Sequence, residues 1–138
     1  MARNHSAGRI LLTVSAAYAG VGAFIFDWNK THIYNPAWPP HAKFHNAQTM
    51  SLGAGLGVLA LAALWSPHAS WTRGRLNVAT AAASLYWATQ LTAMAYPGTS
   101  LVDPPSKDNH AQMYVALTAL AVNAIAYASE SLALSHQK

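Results

Sequence analysis

The chain has 138 residues, 53% of them hydrophobic and only 9% charged, with a formal charge of +4 and no cysteine. A soluble domain carries about 25% charged residues, so this surface is not built to face water on all sides. The missing cysteine excludes disulfides, Cys-ligated zinc and a thiol nucleophile, and the scattered basic residues form no stripe for nucleic acid.

Length and composition predict a single transmembrane domain, 1–138, of all-α class. Crossing a bilayer takes about 20 mostly apolar residues, and four stretches qualify: 10–26, 47–65, 76–96 and 111–134. The first follows Arg3 and Arg9 but continues through Phe24-Ile25-Phe26 without a cleavage site, so it reads as a retained helix rather than a signal peptide. The expected fold is an antiparallel four-helix bundle. Arg3, Arg9, Arg73, Arg75 and Lys138 would lie on one side, and Lys30, Lys43 and Lys107 on the other. The positive-inside rule then places both termini in the cytoplasm and the loops 27–46 and 97–110 outside it.

The first span ends at Asp27-Trp28. In the loop that follows, Pro36, Pro39 and Pro40 rule out a continuous helix. Pro39-Pro40 suits the first turn of the second helix, where a missing N–H costs nothing. A helix starting there puts His41, His45 and Gln48 on one face at i, i+4 and i+7. Within the second span, Gly53-Ala54-Gly55-Leu56-Gly57 carries small residues that let helices approach closely in lipid. Alanine-rich faces of this kind also make a homodimer an expected partner state.

The third span contains Tyr86, Trp87 and Gln90, and the fourth contains Asn123 midway along. Polar groups in hydrocarbon must face the bundle interior or a cavity. With Trp28 and Trp38 they are the candidate substrate-binding residues. Glu130 lies near the end of the fourth span and reads as a snorkelling or solvated charge.

The loop before the fourth span repeats the earlier one. Pro104-Pro105 is followed five places later by His110, as Pro39-Pro40 is by His45. Asp103 reads as the N-cap of the last helix. The match suggests two helix pairs related by an approximate two-fold axis, bringing Asp27, His32, His41, His45, Asp103 and His110 towards one rim.

Carboxyl and imidazole groups at the edge of hydrocarbon suit acid–base chemistry, because desolvation keeps an acid protonated and imidazole relays the proton. The candidate catalytic set is Asp27, His45, Asp103 and His110. The expected activity is isomerisation, cyclisation or epoxide opening of a lipophilic substrate, such as a terpenoid, a sterol-like molecule or a polyketide, with no cofactor. Two alternatives stand beside it. One is a metal-dependent enzyme holding zinc, iron or copper on His41, His45 and His110. The other is a non-catalytic lipid-binding or accessory membrane subunit.

The string Asn35-Pro36-Ala37-Trp38-Pro39-Pro40-His41-Ala42-Lys43-Phe44-His45 resembles the signature of a poorly characterised family of small four-helix membrane proteins. The layout is also similar to the emopamil-binding and sterol-isomerase superfamily, which carries an acidic residue at the end of its first helix, as Asp27 is here. That resemblance implies a sterol-like or terpenoid ligand in a pocket opening from the membrane. The chain departs from that group in having no second acid deep in a helix.

Overall fold

The computed structural model describes residues 5–102 and 109–136. Four helices make up the fold: α1 (Ala7–Asp27), α2 (Pro40–Trp65), α3 (Arg73–Ala93) and α4 (Ala111–Ser135). Among the described residues there is no strand. Three helices, α1, α2 and α4, are long and apolar enough to cross a membrane; α3 falls short of that apolarity.

Local chemistry sets the helix starts. Pro40 opens α2 directly after Pro39, as the double proline predicts. Thr72 caps α3, its hydroxyl accepting from the Arg75 N–H at 3.3 Å. Past the end of α3, Gly98 adopts φ 76°, a conformation glycine takes without steric cost.

Packing places α1 against all three other helices, α3 against α2 and α4, and leaves α2 and α4 apart. The buried core is made of small residues around a few leucines: Leu12, Ala16, Ala60, Leu64, Leu76, Ala79, Ala82, Ala83 and Ala126. The large apolar side chains instead point outward, with Val14 63% exposed, Ile25 64%, Val58 68% and Ile125 65%. In water such contiguous apolar surface is a liability. Against lipid it is the expected arrangement, with small residues inside where helices approach. Asn123 fits this interior: it is buried, and its amide donates to the Ala83 carbonyl and to Ser84 Oγ, each at 3.1 Å. It ties α4 to α3.

Where α1 begins and α2 ends, a polar knot closes the bundle. The Arg9 guanidinium lies 4.1 Å from the Trp65 ring centroid and 4.6 Å from that of Trp71, and donates to the Leu64 carbonyl. Trp71 Nε1 donates to Glu130 Oε2 at 3.1 Å. Arg75 donates to the Ala63, Ala69 and Ser70 carbonyls, at 2.8, 2.5 and 3.0 Å, fixing the link from α2 to α3. Glu130 is only 3% exposed. The expectation of a snorkelling or solvated charge is therefore corrected: the carboxylate turns inward because an indole N–H and an arginine await it there.

Candidate functional site

At the opposite end, α1, α3, α4, the start of α2 and the loop 28–39 line an open cavity of about 530 Å³. Asp27, the last residue of α1, supplies its carboxylate. Oδ2 accepts from the Asn46 amide of α2 at 3.0 Å, and His32 Nε2 lies 3.7 Å from Oδ1. Tyr18 of α1 stacks on Trp87 of α3, centroids 5.4 Å apart. Trp38 meets the His32 ring edge-on at 5.1 Å. Tyr86, Gln90 and Gln112 also line the wall.

The loop folds so that His32 returns over Asp27. Asn29 Oδ1 accepts from the Thr31 N–H at 2.8 Å, and Asn35 Oδ1 accepts from the Ala37 N–H at 2.9 Å, two Asx turns. The Ile33 N–H donates to the Asp27 carbonyl at 3.2 Å. These bonds also set the imidazole tautomer. The Asn29 amide nitrogen donates to the Phe26 carbonyl, so its oxygen faces Thr31 and the Thr31 hydroxyl donates to it at 2.6 Å. The Thr31 oxygen is then left to accept from His32 Nδ1 at 2.8 Å. With the Nδ1 proton so engaged, Nε2 of a neutral ring presents a lone pair to Asp27. A carboxyl oxygen and a ring nitrogen thus face each other. The 3.7 Å gap is too long for a hydrogen bond.

A second cavity of about 320 Å³ lies beyond, under the turn that follows α3. Gln90 and Gln112 line both cavities and bond to each other at 3.1 Å, and Gln112 donates onward to the Leu101 carbonyl at 3.0 Å. Among the described residues, the wall of the smaller cavity carries no titratable group.

Of the residues singled out from sequence, Asp27, Trp38, Tyr86, Trp87 and Gln90 line the larger cavity. His45 does not: it pairs with His41 on an exposed face of α2, Nε2 to Nε2 at 3.0 Å. His110 stands just before α4, exposed, its ring 6.4 Å from Tyr114. A shared histidine rim is therefore not what the helices build, because the i, i+4 register of α2 turns His41 and His45 away from Asn46 and Asp27. Among the described residues, no group of three or more His, Asp or Glu side chains is placed to hold one metal ion, and His110 does not join His41 and His45. Trp28 is 54% exposed and donates to the Tyr34 hydroxyl at 2.7 Å, outside the cavity wall. Asn123 lies outside it too. Asp103 falls beyond the described residues.

Tyr18, Asn46 and Gln112 belong to the wall but were not among the residues singled out for the site, and His32 was placed only on the rim. Tyr18, four residues past Val14 and surrounded by alanines, carries no sequence signal beyond its own hydroxyl. Asn46 had one available signal: it follows His45 in the polar start of α2.

The chain matches no curated protein and no solved structure in the comparisons made with it. A family model does match, over residues 11–138, and so includes every described residue of the cavity. The protein belongs to that family, a family of unknown function (DUF6640).

Proposed function

We propose that this is an integral membrane enzyme that takes a lipophilic small molecule into the cavity between α1, α3 and α4 and performs acid–base chemistry on it. The observation that carries the reading is the facing pair Asp27 and His32 in an aromatic-walled cavity. A volume near 530 Å³ lies within the range of small-molecule sites. In this reading Asp27 gives its proton to a double bond or epoxide oxygen of the substrate. His32 Nε2 removes one from a neighbouring carbon, which isomerises or cyclises the hydrocarbon. Asn46 orients the carboxyl, and Tyr18, Trp38 and Trp87 hold the apolar body, which is of terpenoid, sterol-like or polyketide size. The bundle is antiparallel, with both termini cytoplasmic and the cavity towards the other side, as the basic residues favour. The two Pro-Pro loops are the remnant of a two-fold repeat.

A second reading, ligand binding without chemistry, draws on the 3.7 Å separation, which is longer than a working proton-transfer contact.

Untargeted mass spectrometry of membranes and of the purified protein tests both. A lipophile should co-purify with wild type and be lost on Trp87→Ala. Asp27→Asn should retain the molecule yet slow its conversion by about 10²–10⁴-fold, the usual worth of a positioned acid. Conversion by Asp27→Asn at the wild-type rate would remove the proposed catalyst. Retention of an unconverted molecule by wild type itself would establish the binding reading instead.

A further inference from the structure

The histidine pair on α2 has a geometry the cavity chemistry does not use. His41 and His45 point their Nε2 atoms at one another, 3.0 Å apart, on an exposed face. Gln48, one turn on, lies with Oε1 at 3.2 Å from His45 Nδ1. A carboxamide oxygen can only accept, so the His45 proton sits on Nδ1 and its Nε2 lone pair accepts from His41 Nε2–H. That is how outer partners orient histidines at metal centres. The Phe44 ring lies nearly parallel to His41, 6° between planes, and edge-on to His45, bracing both rings.

We infer that His41 and His45 form a two-histidine chelate for an exchangeable divalent transition metal, Cu²⁺ or Zn²⁺, oriented by Gln48. Two imidazole nitrogens at about 2.0–2.1 Å from a tetrahedral ion stand roughly 3.3 Å apart, so the pair must open by a few tenths of an ångström and the rings turn until both lone pairs converge on the ion. His41 meets the ion by moving its ring proton from Nε2 to Nδ1, which releases the Nε2 lone pairs of both rings to the metal. No third His, Asp or Glu among the described residues joins the pair. The remaining positions belong to water or an incoming ligand, the mark of an exchangeable rather than a structural centre. Copper should bind more tightly than zinc, and acid should weaken both, because protons compete for the same lone pairs. None of this depends on the proposed acid–base activity.

The test uses full-length protein in lipid nanodiscs, purified without a polyhistidine tag and titrated with Cu²⁺ or Zn²⁺ alone. Wild type should bind one ion, with a Cu²⁺ paramagnetic resonance signal split by two nitrogens. His41→Ala and His45→Ala should each lose at least 10-fold in affinity and one nitrogen from the signal. Gln48→Leu should lose about 10-fold while keeping both nitrogens. His68→Ala, in the link between α2 and α3, should bind as wild type does. Equal affinity in wild type and in the two histidine variants would overturn the chelate. Wild-type affinity in Gln48→Leu would overturn the orienting role.

Discussion

Replacing Glu130 with alanine is expected to destabilise the bundle by about 3–5 kcal/mol, the cost of removing one partner from a buried set of charges. Glu130 is 3% exposed and Arg9 is 7% exposed, so neither is relieved by water. The carboxylate accepts from Trp71 and acts electrostatically on Arg9, which is stacked between Trp65 and Trp71. The alanine variant strands the Trp71 N–H and removes the negative charge that Arg9 feels. Glu130→Gln keeps the volume and an acceptor for Trp71 and should lose less. Arg9→Met combined with Glu130→Leu should recover part of the loss, since both charges then leave the interior together. Reversible unfolding in mixed detergent micelles measures all three. A loss below about 1 kcal/mol in Glu130→Ala would mean that the knot is decoration on a bundle held elsewhere.

That knot also marks what could not be read from the chain. Periodicity along a helix is local, so the four helices, the start of α2 at Pro40 and the shared face of His41, His45 and Gln48 were all legible, while the third predicted span is a helix that falls short of membrane-spanning apolarity. Rotation of a helix about its axis is not local. Glu130 near the end of α4 looks like a residue that reaches for water, and only the position of Trp71 and Arg9 shows that it turns inward. For the same reason Trp28 points out while Trp38, ten residues later, joins the cavity wall. Asp27 was legible as an acid closing an apolar run. Its partner was not, because His32 reaches it through side-chain turns at Asn29 and Asn35 in a segment without period. The histidines that looked most like partners, His45 and His110, are set by helix starts that face elsewhere. Tyr18 and Gln112 enter the site only because α1 and α4 meet α3 there.

Three glycines of α2 should respond differently to one and the same change. A Cβ on Gly57 would fall 2.9 Å from the Ala16 carbonyl oxygen and 3.1 Å from the Gly20 Cα. On Gly53 it would fall 2.8 Å from the Ala19 carbonyl oxygen. These neighbours are backbone of α1 and cannot step aside, so Gly53→Ala and Gly57→Ala must push the two helices apart. Each is expected to cost about 1–3 kcal/mol, the usual penalty of overpacking, and Gly57→Leu more. Gly55, between them, has nothing within 4 Å of such a Cβ. Gly55→Ala should therefore lose nothing and gain up to about 1 kcal/mol of helix propensity. Unfolding midpoints of the three variants in one detergent series decide the matter, and an equal loss at Gly55 would show that backbone flexibility, not close approach, is what α2 needs. The consequence reaches the cavity. Ala16 and Ala19 flank Tyr18, whose ring stacks on Trp87 across the site. Moving α1 off α2 draws Tyr18 from that stack and Asp27 from Asn46, so Gly53→Ala and Gly57→Ala should also weaken retention of the co-purifying lipophile, while Gly55→Ala leaves it intact. Stability and ligand capture then fail together because one helix backbone sets both.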